Sequence, residues 1–404
     1  MFAAMAIKTE FRSSEPISDR ERPLISSIRA LLLDKIPGGI PEDVNTDLNL
    51  CRWLRGYHGD MDKIVKNFGI YLASRKAAGF VGDDFPEKFF EMKEIAPFLP
   101  FIASSRLQDR QWSDDHNAFL FVERAWSQPK EFIKTFKTSD YLVHCFGYSE
   151  MLQQLILRRE KKQSADKGPV QFIVIFDLNT VNITDYVNPM SGYMKLWQIR
   201  SELWQDWYPE MVQRIYLTNP PRLISLLWKV ARVFLSEENL KRIEIIGNKE
   251  DLATKHLPGW MVPKEYGGDF VNTIPPGDET GVSIRRKITP LDYYKPYQHY
   301  KLHGTERPKP SHKDISPGAT FTFNIQVPSG KKLLWDFTTG GELTFSIFRG
   351  NNHHDLVFPS LHIITNKLNE EGTLEDVSES EITFQFTNLS GYFTAKLEYA
   401  VAFA

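Results

Sequence analysis

The stretch Asn219–Leu235, NPPRLISLLWKVARVFL, constrains the fold of this chain more than any other. Arg222, Ser225, Lys229 and Arg232 recur at helical spacing and form one narrow polar row. Nearly every other side chain is apolar, whereas an ordinary surface helix needs an apolar stripe of only about 100°. The segment is also shorter than the roughly 20 residues of a membrane span. It must therefore be covered on two sides. Pro220 and Pro221 are placed to start it, since proline is tolerated in a first helical turn. Two readings are open. One is a helix at the centre of a core. The other is a lid, with one side on an apolar pocket and the other able to meet a membrane. Met211–Leu235 holds Arg214, Arg222, Lys229 and Arg232 and no acidic residue, which suits an anionic lipid surface.

The helix before it adds to the case for a pocket. Tyr193, Leu196, Trp197, Leu203, Trp204 and Trp207 share a broad face that runs on to Tyr208, with Lys195, Gln198, Glu202 and Gln205 opposite. A stripe of this kind fits a plain core, but two consecutive helices with surplus apolar surface also suit a large cavity. Around them, Ala118–Val122, Val170–Phe176, Ile215–Leu217 and Ile243–Ile246 read as strands separated by helices, an order that predicts a largely parallel sheet. Residues 1–85 read as a helical lobe. Ile25, Ile28, Leu31, Leu32 and Ile36 recur at helical spacing, and Asp60 is placed to cap a later helix. Residues 86–270 form the α/β region, and residues 271–297, rich in Pro, Gly, Tyr and charge, read as a linker. From residue 298 to 404 the apolar period falls to two. Phe321, Phe323 and Ile325 show it, as do Phe345 and Ile347, Phe384 and Phe386, and a last run from Phe393 to Phe403, which predicts an antiparallel sandwich.

The α/β region carries none of the motifs that mark common chemistry. There is no G-x-G-x-x-G after a strand, no Walker-type loop, no G-x-S-x-G elbow and no H-E-x-x-H pair. Cys51 and Cys145 lack the Arg that a phosphatase loop places six residues on, and neither has nearby Cys or His partners for zinc. His353 and His354 are adjacent and read as a solvated loop, and Asp177 reads as a turn or capping residue. We expect no catalytic residue, no metal and no cofactor. A net charge of −2 argues against nucleic acid. With two cysteines, no span-length apolar run and a Met1–Ile7 stretch too short for a signal peptide, the expected setting is the cytoplasm, with transient visits to membranes.

At these residues the chain resembles the CRAL-TRIO family of lipid-transfer proteins, over roughly residues 20–270. The N-terminal motif reads Leu50-Cys51-Arg52-Trp53-Leu54-Arg55-Gly56-Tyr57, followed by Asp60. The core motifs read Tyr208-Pro209-Glu210-Met211, Asn219-Pro220-Pro221, Phe234-Leu235-Ser236-Glu237, Ile245-Ile246-Gly247 and Pro263-Lys264-Glu265-Tyr266-Gly267-Gly268. The β-rich end resembles a GOLD domain through Leu334-Trp335-Asp336-Phe337 and its long final strand. One CRAL-TRIO subgroup, that of supernatant protein factor and tocopherol-associated proteins, joins the two domains in this order.

The resemblance implies a helical lobe, a β-floored pocket that takes one lipid whole, and a mobile gate helix at Pro221–Leu235. The expected lining is Phe172, Val174 and Phe176 from the strand, Trp197, Trp204 and Tyr208 from the aromatic helix, and Ile224, Leu227, Trp228 and Phe234 from the gate. Arg222, Lys229 and Arg232 would face the membrane. Glu210 and Arg242 match positions that hold a phosphatidylinositol head group, and Asn239 replaces a hydroxyl residue. A surface ion pair is the alternative for Glu210 and Arg242. Tyr57 and His58 stand where two basic residues are expected, which removes charge-assisted bonds to phosphate. The ligand therefore stays open among phosphatidylinositol, phosphatidylcholine and neutral isoprenoids such as tocopherol. The GOLD resemblance implies a protein partner in membrane trafficking.

Overall fold

Helical spacing near the N-terminus becomes three helices: α1 (Glu21–Lys35), α2 (Asp47–Gly56) and α3 (Met61–Ala77). Ile25, Ile28 and Leu32 are buried on one face of α1, while Leu31 falls on its exposed flank. Thr46 caps α2 by accepting from Asn49 N at 3.1 Å, and Asp60 caps α3 by accepting from Lys63 N at 3.2 Å. The computed structural model describes residues 13–404 apart from 83, 104, 187, 189, 190, 236 and 276. Met1–Ile7 lies outside the described residues, as do the side chains of Leu227 and Phe234.

The arginines of the N-terminal motif are internal ties. Arg55 is buried between the Glu21 carboxylate, at 2.7 and 3.0 Å, and the carbonyls of Ser13, Glu15 and Pro16. Arg52 is buried against Glu160 and donates to the Val170 carbonyl at 2.8 Å, which joins the lobe to the sheet.

After the short α4 (Phe85–Lys88), the chain builds a five-stranded sheet. Its strands are β1 (Trp112–Ser113), β2 (Ala118–Arg124), β3 (Gln171–Asp177), β4 (Val212–Thr218) and β5 (Ile243–Ile245), in that spatial order. β2 to β5 run parallel and β1 is antiparallel at the edge. Crossovers are supplied by α5 (Pro129–Thr135) and α6 (Thr138–Glu160), then α7 (Ile183–Tyr186) and α8 (Gly192–Trp207), then α9 (Ile224–Phe234) and α10 (Glu237–Lys241). One face of the sheet, with Leu120, Val122, Ile173 and Ile175, is buried under Leu252, Met261 and Tyr266. On the other face Phe121, Val174, Ile215 and Ile243 stand in one cross-sheet row, and Glu123, Phe176 and Leu217 in the next.

Residues 271–297 run along this body. Arg106 N donates to Gly281 O, Ser283 Oγ to Ile102 O and Arg285 to Ala125 O, at 2.8–2.9 Å, and Val282 is buried. After α11 (Gln298–Leu302) comes an antiparallel sandwich. One sheet has the order β10 (Leu356–Ile363), β9 (Leu343–Arg349), β12 (Glu381–Asn388), β7 (Thr320–Gln326). The other has β11 (Glu370–Leu374), β8 (Leu333–Thr339), β13 (Ala395–Phe403), β6 (Ser311–Ile315). Phe345, Ile347, Phe384 and Phe386 meet Trp335 and Phe337 in its core. Phe393 precedes β13 in an exposed loop rather than sharing its inner face, because Asn388 Nδ2 holds its carbonyl at 2.8 Å.

The sandwich sits on the helices. β10 lies along α3, where Ser360 N donates to Ser74 Oγ at 3.1 Å, and the start of α6 meets Ile364 and Glu370 through Thr138 and Ser139. His353 and His354 lie exposed in the turn between β9 and β10, and no metal-holding cluster occurs among the described residues. Among those residues, no helix is long and apolar enough to cross a membrane. Both cysteines are buried free thiols.

Candidate functional site

The sheet face that carries the crossover helices α8 and α9 becomes the floor of a cavity of about 480 Å³ beneath them. Phe121, Val174, Phe176, Ile215, Leu217 and Ile243 form that floor because strand side chains alternate. Met194, Trp197 and Trp204 form one wall from α8. Ile224 and Trp228 form the opposite wall from α9. Leu178, Val181 and Tyr186 close the far end. Such a chamber favours an elongated apolar ligand, since filling it removes both partners' apolar surface from water.

The near end is polar. Arg242 donates two bonds to the Glu210 carboxylate, at 2.8 and 2.9 Å, and a third to Val212 O at 2.9 Å. Glu210 has a left-handed backbone, with φ +59°, and its carbonyl is held by Gln171 Nε2 at 2.8 Å. Their side chains keep 21% and 13% of their exposure, so the pair belongs to a rim, neither open surface nor closed core. Asn239 and His58 complete this end. Tyr57 turns away, stacks on Trp53 and donates to Asp206 O at 2.6 Å. Gly56 abuts the Tyr208-Pro209-Glu210 turn so closely that a Cβ there would lie 2.3 Å from Pro209 Cβ, which explains a glycine at the end of α2.

Of the residues expected at the pocket, Val174, Phe176, Trp197, Trp204, Tyr208, Ile224 and Trp228 border the cavity, as do Glu210, Asn239 and Arg242. Phe172 does not. It lies on the same strand face but is buried against Phe119 and Phe121, with ring centroids 6.3 and 5.4 Å away. The helix expected as a gate, α9, starts at Ile224, after a turn in which Ile224 N donates to Pro221 O. Arg222, Lys229 and Arg232 are exposed, and so are Leu223 and Leu226, at 56% and 38%. Asp177 is buried and accepts from Asn179 N, Asn219 Nδ2 and Tyr266 OH at 2.8–2.9 Å, a structural hub at the strand end.

Two charged cavity residues, Glu123 and Arg200, escape a reading by motif. The available signal was positional. Glu123 lies two residues after Phe121, and Arg200 lies between Trp197 and Trp204 at helical spacing.

The CRAL/TRIO domain model matches residues 126–268. Over 398 residues the chain is 82% identical to a CRAL-TRIO domain-containing protein of Caenorhabditis elegans, covering 98% of this chain and 100% of that one. The chain belongs to the CRAL-TRIO family. A phosphatidylinositol/phosphatidylcholine transfer protein, SFH11 of Arabidopsis thaliana, is 22% identical over 68% of this chain and 72% of its own. The crystal structure of Sfh5 covers 71% of this chain and 97% of its own, at 17% identity and a TM-score of 0.45. The CRAL-TRIO match takes in α8, α9 and the Glu210–Arg242 pair, whereas Phe121 and Glu123 fall outside it.

Proposed function

We propose that this protein binds one hydrophobic lipid whole in the cavity and carries or presents it between membranes, with α9 as the gate. The observation that carries this reading is the two-sided segment of α9 and the turn before it: Ile224 and Trp228 line an apolar chamber while Leu226, Lys229 and Arg232 of the helix and Arg222 and Leu223 of the turn are exposed. The polar rim of Glu210, Asn239 and Arg242 faces the lipid's polar end. The reading also draws on the lipid-transfer names of the relatives, and it implies no catalysis and no cofactor beyond the lipid. The protein would be cytoplasmic, with transient contact to a membrane surface. Its organisation would be a helical lobe over 1–85, a lipid-binding domain over 86–270, a linker over 271–297 and a GOLD domain over 298–404.

Native mass spectrometry of gently purified protein tests this reading. We expect about one lipid per chain, released unaltered on denaturation. Only apo protein, together with no uptake from vesicles of any lipid class, would sink it. A second role, as a lipid-sensing adaptor that recruits a trafficking protein through the sandwich, is favoured by the direct contact of the sandwich with the pocket wall. Glu342 and His362 bond Lys195 and Glu202 of α8.

A further inference from the structure

One pair of charges stands where the sheet's pattern calls for apolar side chains. Glu123 shares its cross-sheet row with Phe176 and Leu217, all three on the cavity face. Arg200 of α8 meets its carboxylate with both terminal nitrogens, one bond measuring 2.8 Å. The side chains keep 21% and 19% of their exposure, so this pair is half-buried to about the same degree as the rim pair. Desolvating two charges is costly, and tying the sheet to α8 does not require charges, since Phe176 of β3 packs its ring against Trp197 of α8 without them.

The pair sits midway along the chamber. The Phe121–Ile243 row separates it from the Glu210–Arg242 rim, and Leu178, Val181 and Tyr186 lie beyond it. It is electrically balanced. His144, across a void of about 30 Å³ behind it, adds no charge, because burial pushes its pKa down to about 3. Hydrogen-bonding capacity remains. A guanidinium has five N–H donors, and a carboxylate oxygen accepts more than one bond. One helical turn from Arg200, the indole Nε1–H of Trp197 is buried without an acceptor among the described residues.

We propose that the carried lipid is a neutral alcohol whose hydroxyl is bound midway along the cavity by Glu123 and Arg200. This rests on the lipid-carriage reading. A hydroxyl donates to the Glu123 carboxylate and accepts from Arg200 or Trp197 Nε1, matching both halves of the pair. A carboxylate meets the Glu123 charge. An ester carbonyl only accepts. A pure hydrocarbon seals the pair from water and returns no hydrogen bond, which is the costly arrangement. The rim pair is left to hold the mouth closed or to meet a head group.

The test compares geranylgeraniol with its O-methyl ether, which keeps the oxygen and the chain but cannot donate. Binding to the full-length wild-type chain is read by quenching of tryptophan fluorescence, since Trp197, Trp204 and Trp228 line the cavity. The alcohol is expected to bind more tightly by about tenfold or more, as for a hydrogen bond to a charged group. In the double variant Glu123→Leu/Arg200→Met, which leaves no unpaired charge, the preference is expected to vanish while the ether still binds. Equal binding of alcohol and ether to the wild type overturns the inference without recourse to any variant. So does uptake of phosphatidylinositol or phosphatidylcholine from vesicles with none of the alcohol, and in both cases lipid carriage stands. A protein that takes up none of these probes overturns both.

Discussion

Arg242 is the residue whose loss best separates site from scaffold. Its three hydrogen bonds end on Glu210 and Val212, both at the cavity rim. Arg242→Ala leaves the half-buried Glu210 carboxylate unpaired at the cavity rim. The cost to folding should fall between the ~1 kcal/mol of an exposed pair and the ~3–5 kcal/mol of a fully buried one. Lipid exchange between vesicles should slow severalfold, with Arg242→Lys intermediate because a single ammonium cannot reproduce the paired geometry. Exchange at the wild-type rate in a folded Arg242→Ala protein would assign the pair to the surface. Legibility at this scale was uneven. Glu210 and Arg242 were readable because sequence motifs frame them, and Val174 and Phe176 because strand period is regular. Phe172 obeys the same period, yet its neighbours Phe119 and Phe121 fill the space above it, and side-chain volume across strands is not written in one strand's pattern. Glu123 was hidden for a related reason: a charge at the end of an apolar run reads as the strand leaving the core.

At the scale of elements, α8 and α9 make the chamber together but differ in what they can do. α8 is held from behind by the sandwich, while α9 has Lys229 and Arg232 exposed along its polar row, with Arg222 exposed in the turn before it. The sequence made this row legible because it needs only one helix's periodicity. It misplaced the start of α9 by three residues, since Pro221 serves a turn closed by Ile224 N on Pro221 O, after Asn219 at the end of β4 takes a left-handed φ of +49°. If α9 opens against a bilayer, Trp228 exchanges cavity walls for acyl chains, and the exposed cations lie near head groups at ~1 kcal/mol each. Trp228→Asp should then slow transfer from anionic vesicles by about tenfold, with raised salt slowing the wild type as well. Transfer rates measured on a variant whose circular dichroism matches wild type decide the matter. An unchanged rate would make α9 a fixed wall.

At the scale of the whole molecule, the sandwich is braced against the pocket through a cluster that responds to pH. His362 on β10 lies 2.9 Å from Glu202 of α8 and 3.2 Å from Glu342 of the sandwich, which also meets Lys195. Burial works against the charge on His362, but hydrogen bonds and attraction from the two carboxylates prevail and raise its pKa above the usual 6.5. Hydrogen bonding to His362 holds Glu342 down at about 2, and burial of Glu202 is likewise outweighed by its bond to His362. Asp206, at the end of α8, is pushed up to about 6 by burial and by the charge of Glu202, with His362 and then Lys66 of α3 acting in the opposite direction. The signs follow from linkage. A raised histidine stabilises the fold fully below its unfolded value and loses that contribution as pH climbs through its folded value. The lowered carboxylates stabilise above their ordinary range and fail only in acid. The brace is therefore firmest in mildly acidic solution and slackens as pH rises past neutrality. Thermal unfolding of wild type and His362→Gln should show a wider gap in Tm at about pH 6 than at about pH 9, and an Asp206→Asn background removes the carboxyl that His362 also influences. Protection of the α8 amides, with the base-catalysed rise of intrinsic exchange divided out, should fall over the same interval in the wild type and stay nearly flat in His362→Gln. A Tm gap that does not narrow would mean that packing of β10 on α3, rather than these charges, holds the sandwich to the lipid chamber.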